Sequence, residues 1–167
     1  MILRTSYFNQ LLQLRDQDLI KVVTGIRRCG KSTLLHAFKQ HLVTDGVAAD
    51  AICFLNFEER ENAHFQSWEQ VYDFIISNLS AAAKRYVFLD EVQLIPQFEK
   101  LVDALYVKKD IDLYITGSNA YLLSMPGVPC VFYPHWVKYK DAIGKMVLAR
   151  KAAGVHSESK VSDEAGN

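Results

Sequence analysis

The chain has 167 residues, of which half are hydrophobic, and its 19 basic and 19 acidic residues give a formal net charge of zero. This composition is typical of a globular domain with one core and gives no support for a protein that wraps a polyanion. No apolar stretch approaches membrane-spanning length, and the N-terminus lacks the layout of a secretory signal. Three widely spaced cysteines without a C-x-x-C pair fit a reduced compartment, so we expect a cytoplasmic protein without a membrane partner.

The N-terminal part of the chain alternates helical and strand patterns. Apolar residues at helical spacing predict an amphipathic helix from residue 3 to about residue 17. After a polar break, residues 19–24 form an apolar run that predicts the first strand. A second helical pattern runs to about Val43, and Gly46 is expected to take the left-handed conformation that ends it.

Three further apolar runs of strand length follow, at residues 51–57, 86–89 and 111–116. Two helical patterns lie between these runs. One begins at Trp68, and the other is the stripe Phe98, Leu101, Val102 and Leu105. Pro96 is expected in the first turn of the second helix. This β–α alternation predicts an α/β fold of three layers, with a parallel sheet of four strands flanked by helices. Residues 130–133 could add a short fifth strand that Pro134 ends.

The strongest motif lies between the first strand and the second helix. Residues 25–32 read G-x-x-x-x-G-K-[ST], the phosphate-binding P-loop. The backbone N–H groups of such a loop form an anion cradle, Lys31 would reach the β- and γ-phosphates, and the Ser32 hydroxyl would join the shell of a Mg²⁺ ion. The predicted nucleotide-binding residues are Gly25, Ile26, Arg27, Arg28, Cys29, Gly30, Lys31, Ser32 and Thr33.

Three residues inside the loop, Arg27, Arg28 and Cys29, need separate consideration. Cys29 could be a redox-sensitive thiol, because helix N-termini lower thiol pKa values, but a small residue tolerated in the loop is the favoured interpretation. Arg27 and Arg28 are expected to contact phosphate or solvent, and neither is assigned as an arginine finger.

A pair of carboxylates ends the third predicted strand. Asp90 follows an apolar run in the manner of a Walker B motif and would hold Mg²⁺ through its water shell. Glu91 would polarise a water for in-line attack on the γ-phosphate, since neighbouring strand residues differ in direction. The competing interpretation is a solvated Asp-Glu pair that starts a loop. Gln93, two residues further on, could join the water network or face solvent, and solvent is the favoured interpretation.

Polar residues also end the fourth predicted strand. The ends of parallel strands open on one edge of a sheet, where ligands collect. Asn119 is the first candidate, and Ser118 the second, for a side chain that orients the attacking water or touches the γ-phosphate. The competing interpretation is that either residue caps a short helix.

A family likeness rests on three segments taken together: residues 24–33, residues 88–93 (Phe-Leu-Asp-Glu-Val-Gln) and residues 115–120 (Ile-Thr-Gly-Ser-Asn-Ala). The combination resembles prokaryotic ATPases of the AAA+ superfamily, of the type whose N-terminal ATPase module precedes an uncharacterised, nuclease-like C-terminal domain. The resemblance implies ATP as ligand and Mg²⁺ as cofactor. It also implies Lys31 and Ser32 as Walker A, Asp90 and Glu91 as Walker B, and Asn119 as sensor 1.

The likeness covers the chain to about Ser124. The Gly-Arg-aromatic and Pro-Leu-Ser-Phe-like segments that follow in that family are not recognisable here. We therefore expect an ATPase core at residues 1–124 and a divergent, poorly ordered tail at residues 125–167, as in a truncated module.

These patterns predict Mg-dependent ATP hydrolysis. The alternative is a fragment that binds ATP without hydrolysing it, or a nucleotide-dependent interaction module. A GTPase is disfavoured because the guanine-reading string Asn-Lys-x-Asp does not occur. The resemblance leaves a homo-oligomer open as a partner, and the sequence does not identify a protein or DNA client.

Overall fold

The computed structural model describes residues 5–25 and 29–117, and the backbone of residues 130–132. The helices are α1 (Thr5–Leu14), α2 (Lys31–Thr44), α3 (Trp68–Asn78) and α4 (Phe98–Tyr106). The strands are β1 (Lys21–Thr24), β2 (Ile52–Asn56), β3 (Arg85–Asp90), β4 (Ile111–Gly117) and β5 (Cys130–Phe132). Of the helices in these described ranges, none is long and apolar enough to cross a membrane.

The strands form one parallel sheet in the order β2-β3-β4-β1-β5. The predicted four-stranded parallel sheet is therefore confirmed. The sequence left a fifth strand open. In the structure this strand, β5, pairs with β1 through Val22↔Cys130 and Thr24↔Phe132. Because β1 lies between β4 and β5, the loop that follows β1 leaves from the interior of the sheet and not from its edge.

The core fills both faces of the sheet. Alternate strand residues point to opposite faces, so Val22 and Val23 belong to different clusters. One cluster lies beneath α3 and α4 and includes Val71, Ile75, Leu101, Val102 and Leu105. The other lies beneath α1 and α2 and consists of Leu11, Val23, Leu34, Leu35, Phe38, Leu42, Tyr86, Phe88 and Tyr114. These two clusters produce the predicted three layers.

Helix ends follow local chemistry. Gly46 has φ 94°, the left-handed conformation predicted for it, and the N–H of Val47 donates to the Leu42 carbonyl at 2.9 Å. The prediction for Pro96 was wrong, because α4 begins only at Phe98. Gln97 takes a left-handed conformation (φ 56°), which stops the helix from extending back to the proline.

Candidate nucleotide-binding site

The candidate site lies where β1 leads into α2. Gly30 is the N-cap of α2 with φ 93° and ψ 22°, a conformation that a residue without a Cβ atom adopts readily. This cap residue supplies no side chain to the first N–H groups of the helix. Those groups, at the positive end of the helix, are therefore suited to bind an anion.

Lys31 is buried at the start of α2, with 3% of its surface exposed. Its Nζ donates to the Gly25 carbonyl at 3.3 Å and lies 3.4 Å from Oε1 of Glu91. The structure therefore brings together the lysine of the P-loop and the second carboxylate of the Asp-Glu pair, which are 60 positions apart in the chain.

Asp90 ends β3 and is completely buried. Its Oδ1 accepts a hydrogen bond from the Thr116 hydroxyl, while its Oδ2 has no hydrogen-bond partner in the described part of the chain. A buried carboxylate oxygen is costly to leave unpaired, because it has lost water without gaining a donor or a cation. A cation, or a water that a cation orients, would satisfy this oxygen.

Glu91 leaves the strand in the left-handed conformation, with φ 54° and ψ 46°. Its N–H donates to Oγ1 of Thr116 at 3.0 Å, and its Oε2 accepts from Nε2 of Gln93 at 2.6 Å. For a residue other than glycine this backbone is strained, and such strain is concentrated at functional sites. The turn directs Glu91 toward Lys31, so the two neighbouring carboxylates have different partners.

Thr116 is a site residue that sequence reasoning missed. It is fully buried and contacts Asp90 and the backbone of Glu91 at the same time. In the register of β3 and β4, Leu89 pairs with Ile115, and this places Thr116 beside Asp90. Had this pairing been known, it would have identified Thr116. Using the pairing required knowledge that β4 neighbours β3.

The prediction that Gln93 faces solvent was wrong. Gln93 lies in a 3-10 turn, Val92–Leu94, which folds the chain back on itself directly after Glu91. The turn makes the Gln93 side chain half-buried and brings its amide against the Glu91 carboxylate.

The remaining predicted residues divide into two groups. Cys29 and Ser32 are half-buried at the start of α2, and Thr33 is exposed. Five predicted site residues lie outside the described residues: Ile26, Arg27, Arg28, Ser118 and Asn119. The predicted tail at 125–167 also lies outside them, apart from the backbone of β5.

A strand, a glycine-ended loop and a helix, with an aspartate at the end of another strand of a parallel sheet, define the P-loop class of nucleotide-binding folds. The chain belongs to the AAA domain family, whose family model matches residues 17–128. The chain is thus an AAA-type P-loop module of the nucleotide-binding ATPase class, and this part of the prediction is confirmed. The nuclease-like C-terminal domain stays a prediction.

Individual proteins give further likenesses. An uncharacterized protein of Haemophilus influenzae is 41% identical over 125 residues, which are 74% of this chain and 31% of that protein. The chain thus spans about a third of that relative's length. An alpha-amylase type B isozyme of Hordeum vulgare is 41% identical over only 44 residues, which are 25% of this chain and 29% of that protein. The C. elegans PCH-2 structure is similar over 93% of this chain and 49% of its own, at 16% identity and a TM-score of 0.41. These last two matches are too limited to indicate a function.

Proposed function

We propose that this module hydrolyses ATP in a Mg²⁺-dependent reaction. The observation that carries the proposal is the 3.4 Å approach of the Glu91 carboxylate to Nζ of Lys31. A group able to polarise water therefore lies beside the lysine that the P-loop motif assigns to the phosphates.

Nucleotide binding is assigned to residues 25–33, which include Lys31. The N–H groups at the start of α2 and the Lys31 ammonium supply positive charge to the triphosphate. Lys31 is held at 3.3 Å by the Gly25 carbonyl, a neutral acceptor, and by Glu91. The phosphates would compete for the lysine with these partners, and the carboxylate would then be released for another role.

The donor set fits Mg²⁺. In the described ranges, no three His, Cys, Asp or Glu side chains are grouped to hold a metal by themselves. Mg²⁺ commonly binds through one or two protein oxygens together with waters and substrate phosphates, which matches the Ser32 hydroxyl and the unpaired Oδ2 of Asp90. The bound ion would neutralise charge that develops on the phosphates.

Glu91 is assigned to the attacking water. Its carboxylate would accept a hydrogen bond from that water while the water oxygen bonds to the γ-phosphorus and the bond to the β–γ bridging oxygen breaks. The products are ADP and phosphate. Asn119, or else Ser118, is proposed to contact the γ-phosphate or the water. Both residues follow β4 in the sequence.

Binding without hydrolysis is the second candidate. It is favoured by the contacts of the Glu91 carboxylate, which is engaged by both Lys31 and Gln93. If the Lys31 contact persists with nucleotide bound, Oε1 of Glu91 is not available to a water.

Phosphate release and nucleotide binding separate the two candidates when they are measured on the same samples with Mg-ATP. Lys31→Ala is expected to lose nucleotide binding, and Glu91→Gln to keep binding and lose turnover. Lys100→Ala, which removes an exposed lysine of α4, is the matched control and should behave as the unmodified chain. Equal binding by the unmodified chain and Lys31→Ala would refute the P-loop assignment. Tight binding without turnover by the unmodified chain would favour the second candidate.

Several expectations about the wider protein stay predictions. These are the cytoplasmic location, a homo-oligomeric state, a protein or DNA client, and the division between a core at 1–124 and a tail at 125–167.

A further inference from the structure

The Glu91 carboxylate is held from two sides. Oε1 faces Nζ of Lys31 at 3.4 Å, and Oε2 accepts from Nε2 of Gln93 at 2.6 Å. The first contact is to the residue that the P-loop motif assigns to phosphate, whereas the second is to a residue that the motif does not include.

The orientation of the Gln93 amide follows from chemistry. An ionised carboxylate only accepts hydrogen bonds, so the amide nitrogen must be the atom that faces Glu91. Oε1 of Gln93 is therefore turned away, and it is buried without a donor among the described residues. A buried acceptor of this kind is costly, so the contact with Glu91 is kept although the other end of the amide is left unsatisfied.

The backbone sets the position of Gln93. The Leu94 N–H donates to the Glu91 carbonyl at 3.1 Å, which closes the turn, and Val92 is completely buried and anchors it. Glu91 enters the turn with its N–H on Thr116 at 3.0 Å. Residues 91 and 93 are therefore fixed relative to each other before any ligand binds.

Binding of phosphate by Lys31 would leave the Gln93 contact in place. The lysine would exchange Glu91 for the nucleotide, while nothing in the Gln93 contact depends on the P-loop. A carboxylate that loses its contact with Lys31 but keeps its contact with Gln93 still has a defined direction. Catalysis requires such a fixed orientation of the catalytic group.

We propose that Gln93 is a positioning residue for Glu91, whose amide holds the carboxylate in the orientation that polarises the attacking water once Lys31 has engaged the nucleotide. This inference rests on the proposed ATP hydrolysis. It assigns a role to the glutamine that follows the Asp-Glu pair.

Two substitutions of similar size test the proposal. Gln93→Met removes the donor, and Gln93→Glu replaces it with a group that repels Glu91. Both are expected to lower kcat about 10- to 100-fold, the loss expected for a hydrogen bond to a charged group. KM and the affinity for a non-hydrolysable ATP analogue should stay within about twofold, because Gln93 is not assigned a contact to nucleotide. Gln40→Glu, the same change on the exposed surface of α2, should leave kcat unchanged.

A double-mutant cycle completes the test. In a Glu91→Gln background, Gln93→Met should have no further effect on residual turnover, since the group that it positions has been removed. If the Glu91→Gln variant loses kcat but the Gln93→Met variant keeps it, the role of Gln93 is refuted and ATP hydrolysis stands. If kcat and analogue affinity fall together in Gln93→Met, Gln93 is structural. No turnover by the unmodified chain would overturn hydrolysis and this role with it.

Discussion

Lys21 and Asp112 form an ion pair in which both side chains are completely buried. The pair joins Lys21, the first residue of β1, to Asp112, the second residue of β4, at the amino-terminal ends of these strands and opposite the candidate site. Asp112 also accepts from the Tyr114 hydroxyl at 2.8 Å and from the Asp16 N–H at 2.9 Å, and Nζ of Lys21 donates to the Gln17 carbonyl at 2.7 Å. Burial and the neighbouring carboxylate raise the pKa of Tyr114, which therefore remains a donor. The pair thus connects the turn after α1 to two interior strands.

The first prediction concerns the stability that depends on this pair. Asp112→Asn should destabilise the fold by about 3–5 kcal/mol, because it leaves the Lys21 ammonium buried without a counter-charge. The double variant Lys21→Met/Asp112→Asn should be more stable than Asp112→Asn alone, since no unpaired charge remains. Urea unfolding followed by circular dichroism measures both. A double variant that is no more stable than Asp112→Asn would contradict this account.

The second prediction concerns acid sensitivity at the end of α2. The Arg15 guanidinium donates to Oδ2 of Asp45 at 2.5 Å and lowers the pKa of that carboxyl below its usual value of 3.8. Because the pKa is lower in the folded state than in the unfolded state, the contribution to stability is present above about pH 4 and is lost as the pH falls through the folded value.

Asp45→Asn should therefore lower Tm at pH 6 and have a smaller effect at pH 3. Asp73→Asn, which changes an exposed carboxylate on α3, is the control. Thermal unfolding of the three proteins across this pH range measures the difference. A Tm difference for Asp45→Asn that does not shrink at pH 3 would show that the Arg15 contact does not contribute in this way.

Much of the fold was predictable because its signals are local in sequence. The stripe of α4 depends only on helical spacing, and the four strands are indicated by apolar runs of strand length. The P-loop was equally accessible, because its chemistry lies within residues 25–32. The left-handed Gly46 could be predicted for the same reason, since a helix end with a glycine needs no information from elsewhere in the chain.

The contacts within the candidate site were harder to predict because they depend on strand order. Thr116 reaches Asp90 only because β4 lies beside β3, and that order is not written in either segment. The same is true of Lys21 and Asp112, which are 91 positions apart. Gln93 is a different case, since its turn could be inferred, but the direction of its side chain depends on the unusual backbone of Glu91.

The third prediction concerns the reactivity of Cys53. Burial in β2 raises the pKa of this thiol to about 11, so the thiolate is a fraction of roughly 10⁻³ at pH 8 in the folded protein. The test uses a Cys29→Ser/Cys130→Ser background and a disulfide reagent that releases a coloured thiolate when it reacts. Modification of Cys53 should be at least about 100-fold slower in buffer than in urea. Equal rates in the two conditions would mean that Cys53 is accessible in the folded chain.

The fourth prediction concerns the Thr116 hydroxyl, which donates to Asp90 and accepts from the Glu91 N–H. Thr116→Val keeps the shape of the side chain but removes both hydrogen bonds, so Asp90 loses its described donor and the turn at Glu91 loses its anchor. We expect Mg-ATP turnover to fall about 10- to 100-fold and the fold to lose about 1–3 kcal/mol, the cost of leaving buried polar groups unpaired.

Thr116→Ser keeps the hydroxyl and should retain most of the turnover. Thr44→Val is the matched control, because it removes a hydroxyl whose 2.9 Å bond to the Gln40 carbonyl is exposed. Turnover is measured by phosphate release at a temperature where circular dichroism shows each variant folded. If Thr116→Val and Thr44→Val have the same turnover, Thr116 does not act on the carboxylates.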